Sequence, residues 1–161
     1  MKIKIPFWDP LREYRVLSQP LQQAARAVFS SGRYILGPHL EQFEQEFARF
    51  CGAPFGCGVA SGTEAITLAL MACGIGPGDE VITVANTATP TVVGILQAGA
   101  TPIFVDIDPD TWLMNPDNIA AKITKRTKAI VPVHLYGHLA PMDRIVRISK
   151  KFNLDKSGHL I

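Results

Sequence analysis

Cysteine is scarce in this chain, charge is nearly balanced, and long apolar runs are missing. Only three cysteines occur, Cys51, Cys57 and Cys73. Their odd number, with no C-x-x-C pair, argues against a disulfide scaffold or a zinc knuckle and leads us to expect buried, reduced thiols. Sixteen basic residues against fourteen acidic leave a net charge of +2, too small to argue for a nucleic-acid partner. The tightest basic group, Lys122, Lys125, Arg126 and Lys128, surrounds the end of an expected helix, where cations complement the dipole and face solvent. No stretch approaches a transmembrane span. The opening MKIKIPFWDP lacks the apolar core of a signal peptide, so no membrane and a cytoplasmic location are the expectation. Internal repeats and low-complexity tracts are absent too.

What is present fits a globular α/β protein. The 161 residues are 47% hydrophobic and 19% charged, enough for one domain with a sizeable core. Residues 1–14, with Pro6, Pro10 and three aromatics, Phe7, Trp8 and Tyr14, read as an extended lead-in. A helix is expected over 20–31, ended by Gly32. A second, over 38–50, places Leu40, Phe43, Phe47 and Phe50 at helical spacing and closes at Gly52.

From there short strands alternate with helices. Strands are expected at 56–60, 80–84, 102–106 and 129–134, and helices from Gly62, near 90–98, near 116–123 and at 142–152. The runs 81–84 and 103–105 lack clear alternation, as in strands covered on both faces. Strands separated by helices imply a mostly parallel sheet with right-handed crossovers, whose ligands gather at the strands' carboxyl ends. The turns that matter are therefore 61–63, 85–90, 106–109 and 134–138.

The turn Ser61-Gly62-Thr63 runs directly into an apolar helix. Unpaired amides and the positive end of the dipole suit an anion such as phosphate there. Ser61 and Thr63 add hydroxyls, Gly62 permits close approach, and Glu64 lies just inside the helix start. An ordinary N-cap by Ser61 or Thr63 explains the same residues. Both readings stand on the turn alone.

Other signals are weaker. Gly74-Ile75-Gly76-Pro77-Gly78 follows a helix and precedes a strand, the reverse of a dinucleotide fingerprint, and reads as a helix stop. His134 and His138 flank Leu135-Tyr136-Gly137 beyond a strand; Gly137 argues against a metal-binding helix, so loop histidines are expected and no metal. Asp108 before Pro109 reads as a turn former, whereas Asp106 at a strand end is a candidate to face the site. Residues 86–91, Asn-Thr-Ala-Thr-Pro-Thr, either contact a ligand or cap the next helix. No Ser/His/Asp or Cys/His grouping is justified, so no catalytic residue is assigned.

The ordered set is more specific than its members. It comprises GRYILGP at 32–38, Phe43-Glu44, Phe47-Ala48, ASGTEA at 60–65, GIGPGDEVI at 74–82, GATP at 99–102, VDID at 105–108 and PVHLYG at 132–137. This set resembles the N-terminal part of the DegT/StrS-type sugar aminotransferases, over about residues 6–154. The resemblance implies a partial large domain of the aspartate-aminotransferase (type I) fold at 1–154, with a divergent tail at 155–161. It also implies pyridoxal 5′-phosphate as cofactor, a nucleotide-linked keto-sugar and an amino donor as substrates, and pairing with a second copy or a full-length paralogue. The cofactor phosphate would map to Ser61, Gly62 and Thr63. Where relatives often place an aromatic ring over the pyridine, this sequence carries Ala88, a small side chain to pack against it.

One departure matters. Family members carry an acidic Glu-Asp-Ala-type motif after the helix corresponding to 142–153, and much later a lysine that holds the cofactor covalently. After Leu154 this sequence reads DKSGHLI. Asp155 comes too early to replace the motif's carboxylate, and Lys156 lacks the family's context. A truncated or frame-shifted reading frame, inactive alone and with an open sheet edge and uncovered apolar faces, is the expectation. A non-catalytic dimerisation or interaction module, or a non-functional remnant, is the alternative.

Overall fold

The computed structural model describes residues 5–6 and 8–154. Asp155, Lys156 and the rest of the tail lie outside the described residues. The chain falls into two compact units that divide after Gly58.

The first unit is two helices and an irregular segment. Helix α1 covers Pro10–Ser31 and α2 covers Pro38–Phe50. The earlier start of α1 corrects the expected lead-in. Asp9 caps it by accepting the Arg12 N–H at 3.1 Å, Pro10 occupies the first turn, and the helix then runs on through Pro20. Asp-Pro is a helix start by the same chemistry that made Pro20 look like one. Gly32, with φ of 66°, ends the helix in the left-handed conformation.

No strand forms at 56–60 among the described residues. That segment has no regular structure, and Gly56 and Gly58 are pressed against α2 instead of another strand. The Gly58 N–H donates to the Glu44 carboxylate at 2.6 Å. A Cβ at Gly56 would meet the Glu44 carbonyl oxygen at 2.8 Å, and one at Gly58 would meet Leu40 Cδ1 at 2.6 Å. Only glycine permits so close a seat.

The second unit is a sheet between helices. Helix α3 is Gly62–Ala72, strand β1 Glu80–Val84, helix α4 Thr89–Gln97, strand β2 Thr101–Val105, strand β3 Thr127–Ile130 and helix α5 Met142–Lys151. The strand order is β2-β1-β3 and both pairings are parallel. Alternate residues of β1 feed two cores. Ile82 and Val84 join Val105, Met114, Ile119, Ile130 and Ile145 on one face. Val81 joins Leu70, Ile75, Ile95 and Val131 on the other, beneath α3 and α4.

Several expectations shift here. All of β1 is buried, but β2 is an edge of the described sheet and Phe104 is exposed, so only β1 is covered on both faces. The helix expected near 116–123 is two short 3-10 turns, Pro116–Asn118 and Ala120–Lys122. Strand β3 starts two residues early and stops at Ile130. Cys51 and Cys57 are exposed and Cys73 is half-buried, which corrects the expectation of buried thiols.

At the amino end of β1, buried Glu80 accepts bonds from the Thr124 hydroxyl, the Arg126 guanidinium at 2.6 Å and the Thr127 hydroxyl at 3.4 Å. The Thr124 bond, reinforced by Arg126, outweighs burial and holds this carboxyl below its usual value.

Candidate functional site

The start of α3 combines a side-chain cap with amides left over. Ser61 is extended, and its Oγ accepts the Glu64 N–H at 3.2 Å. The Glu64 carboxylate reaches back to accept the Ala60 N–H at 2.8 Å, much as in a capping box. The Ala65 N–H bonds the Ser61 carbonyl at 3.0 Å. The amides of Gly62 and Thr63 precede that first helical bond and have no acceptor among the described residues. Ser61 caps the helix, while Gly62 and Thr63 offer their N–H groups outward. Space above Gly62 is open: a Cβ there would meet nothing within 4 Å.

The packing of α3 on α4 fixes where those amides lie. The Thr67 hydroxyl lies 3.1 Å from the Thr63 carbonyl oxygen, 3.1 Å from that of Gly94 and 3.2 Å from Gln97 Oε1. A Cβ on Gly94 would fall 3.0 Å from the Thr63 carbonyl oxygen. Thr63 thus lies beside Gly94, and Thr67 beside Gly94 and Gln97, so the two helices run in the same direction. Their amino termini open at the same end of the unit, the carboxyl end of β1, within about one turn of each other. Two positive dipole ends meet there, and the first turn of α4 carries no acidic residue.

Ala88 is the N-cap of α4, exposed and without a side-chain cap bond. Thr87 and Thr91 bond each other at 2.8 Å through their hydroxyls. Ser61, Gly62, Thr63 and Ala88 therefore share one end of the second unit.

The remaining candidates divide. Asp108 is a turn former: its Oδ1 accepts from the Asp110 N–H and from the Thr111 N–H and hydroxyl, at 3.1, 2.9 and 3.1 Å. These bonds, Thr111's amide foremost, hold its carboxyl below the usual range. Asp106 is exposed, accepts the Ile107 N–H at 2.9 Å, and lines a cleft with Lys122 and with Ala85, the residue after β1. His134 Nδ1 accepts the Ala140 N–H at 3.0 Å, which leaves the proton of the neutral ring on Nε2. No three metal-ligating side chains converge among the described residues.

Sequence reasoning missed Thr67, Gly94 and Trp112. An isolated glycine inside an apolar helix was a legible signal for Gly94. Trp112 gave none: its place depends on an excursion of the chain after β2, closed by an antiparallel bridge between Ile107 and Met114. Its carbonyl accepts the Asn86 side-chain amide at 3.2 Å.

Residues 16–155 match the model of the DegT/DnrJ/EryC1/StrS aminotransferase family. The chain belongs to that family. Among curated family relatives, dTDP-3-amino-3,6-dideoxy-alpha-D-galactopyranose transaminase of Aneurinibacillus thermoaerophilus is 47% identical over 151 residues, 93% of this chain and 41% of its own length. The crystal structure of Streptomyces venezuelae DesV superposes with a TM-score of 0.89 at 41% identity, over 94% of this chain and 41% of that one. Bacillus subtilis ntda, crystallised with bound cofactor PMP, gives 0.89 at 37% identity, over 95% of this chain and 36% of its own. The chain thus spans about two fifths of the relatives it matches. Its fold is a partial type I aminotransferase fold, a small parallel sheet flanked by helices. No described helix is long and apolar enough to cross a membrane.

Proposed function

We propose that this chain is part of a cytoplasmic, pyridoxal-phosphate-dependent sugar aminotransferase, and that the α3 amino terminus holds the cofactor phosphate. The observation that carries this reading is the pair of outward amides of Gly62 and Thr63 beneath open space, with the dipoles of α3 and α4 aimed the same way. The hydroxyls of Ser61 and Thr63 add donors, since Ser61 Oγ uses only a lone pair on Glu64. Exposed Ala88 offers a small apolar face to the pyridine ring. Once bound, the cofactor supplies the electron sink that amino-group exchange requires. The residues of this chain bind and orient it.

The substrate reading is a nucleotide-linked keto-sugar with glutamate as amino donor, in keeping with the dTDP-sugar transaminase among the relatives. We further infer pairing with a second copy or a full-length paralogue. The bare aromatic row on α2 supports that: Phe43, Phe47 and Phe50 stack on one another at 5.5 and 6.3 Å yet remain exposed.

Titration with pyridoxal phosphate, followed by absorbance, tests the phosphate site. Gly62→Asp places a carboxylate against the phosphate and is expected to weaken binding at least about tenfold, while leaving unphosphorylated pyridoxal unaffected. Equal loss for both ligands would sink the assignment. The described lysines, Lys122, Lys125, Lys128, Lys150 and Lys151, are all exposed. Borohydride reduction of the complex at one equivalent of cofactor is accordingly expected to trap no pyridoxyl group on any of these five.

A further inference from the structure

Two aromatic residues in the loops that follow β2 and β3 adopt backbone conformations that bulky L-residues avoid. Trp112 has a φ of 63° and Tyr136 a φ of 53°. Each is pinned there. The Trp112 N–H donates to the Asp108 carbonyl at 2.8 Å, and its own carbonyl accepts the Asn86 amide at 3.2 Å. Tyr136 sits in a turn closed by the His138 N–H to the Leu135 carbonyl at 2.9 Å, with His134 Nδ1 clasping Ala140 beyond it at 3.0 Å. Neither strained residue is buried in a core: Trp112 is 60% exposed and Tyr136 91%. Such outliers persist where the surroundings over-determine them, and they cluster at ligand sites.

Both rings line one open cleft of about 530 Å³, together with Thr111, Leu135 and His138. Its size is within the range of small-molecule sites. No Lys, Arg, Asp or Glu lines it, so it is unsuited to a phosphate and suited to an uncharged flat ring. The polar groups are placed for the edge of such a ring. The Thr111 hydroxyl donates to Asp108 at 3.1 Å and accepts the Leu113 N–H at 3.5 Å, which leaves its second lone pair to accept a ring N–H. The His138 imidazole offers a partner for a ring carbonyl.

We propose that this cleft is the subsite for the pyrimidine base of the nucleotide-linked sugar, stacked on Trp112 or Tyr136. Asn86 and His134 act as positioning residues that hold the two loops in place. The proposal deepens the nucleotide-sugar reading and rests on it.

The test uses the whole chain with Trp8→Phe, which leaves Trp112 as the single tryptophan. Its emission is followed during titration with thymidine, which has the base and no phosphate, and with thymidine diphosphate. Saturable quenching by both is expected. Tyr136→Ala should weaken thymidine at least about fivefold, Tyr136→Phe should restore it, and Asn86→Ala should redden Trp112 emission as well as weaken binding. Trp112→Ala, read by saturation transfer to thymidine, should lose about tenfold. Quenching by the diphosphate alone, or no saturable response to thymidine in a chain that still takes up pyridoxal phosphate, overturns the base subsite. Thymidine saturation in a chain that refuses pyridoxal phosphate sinks the phosphate reading and leaves the base subsite standing.

Discussion

Gly94 sets how closely α3 approaches α4. A Cβ there would lie 2.9 Å from Ile66 Cγ2 and 3.0 Å from the Thr63 carbonyl oxygen. Gly94→Ala gains helix propensity worth about 1 kcal/mol. The overpacking it forces costs about 1–3 kcal/mol, and one of the clashing atoms is backbone. Urea denaturation is expected to show net destabilisation, and adding Ile66→Ala, which removes the clashing Cγ2, should cost less than the sum of the two single changes. Glu80 supplies a pH-dependent contribution. Its folded carboxyl lies below the ordinary value near 4.5, so its stabilisation is complete above that value and is lost as pH falls through the folded value. Glu80→Gln should therefore flatten the acid limb of stability against pH below about 4.5, measured by denaturant midpoints at each pH. An unchanged acid limb would show that the carboxyl is not held low. An isolated glycine in an apolar helix marked Gly94 in the sequence, but neither what it packs against nor the partners of Glu80 were legible, because both depend on contacts between elements apart in sequence.

Among the elements, α3 gives the cleanest separation of cap from ligand site. Ser61→Ala removes the acceptor for Glu64 N–H and should cost about 0.5–2 kcal/mol of stability, whereas Ser61→Asp keeps the cap. Ser61→Asp should nevertheless weaken pyridoxal phosphate binding, since it adds negative charge beside Gly62. Circular dichroism and the absorbance titration report the two effects separately. Helix α1 makes the opposite case. Pro20 cannot donate to the carbonyl of Val16, so Pro20→Ala should raise helix content and stabilise α1 by up to about 3 kcal/mol. Much of this level was legible. Helix α2 and strand β1 run over the spans the sequence suggested, because Pro at the start and an apolar repeat or an unbroken buried run are local signals. Residues 56–60 and 116–123 were not. The glycines of the first serve contact with α2, not a ladder, and the second lacks the length of apolar repeat that would carry a helix past a 3-10 turn.

For the whole molecule, bare apolar surface dominates the first unit. Helix α1 buries no residue, and Phe29, Ile35, Leu36, Phe43, Phe47, Phe50 and Phe55 are all exposed. Patches of this kind mark surfaces that associate. The isolated chain is expected to bind an apolar dye strongly and to elute from a sizing column as more than one copy. Converting Phe43, Phe47 and Phe50 together to Ser should reduce both signals; a dye response unchanged by that triple variant would place the sticky surface elsewhere. The family and its fold were readable from the ordered motifs, since each motif fixes a turn or cap that the fold needs at that place. The aromatic cleft was not, because it arises only where two loops from different strands meet. The strand order has a consequence in time. β1 is the central strand and the first to be synthesised, and β2 closes against one side of it after a single helix. The other side of β1 must wait for about twenty further residues between β2 and β3. At a synthesis rate of about 5–20 residues per second, that interval lasts one to several seconds. A nascent chain still on the ribosome would present one bare flank of its most buried strand throughout that interval, and it is during those seconds that it most needs protection from its neighbours.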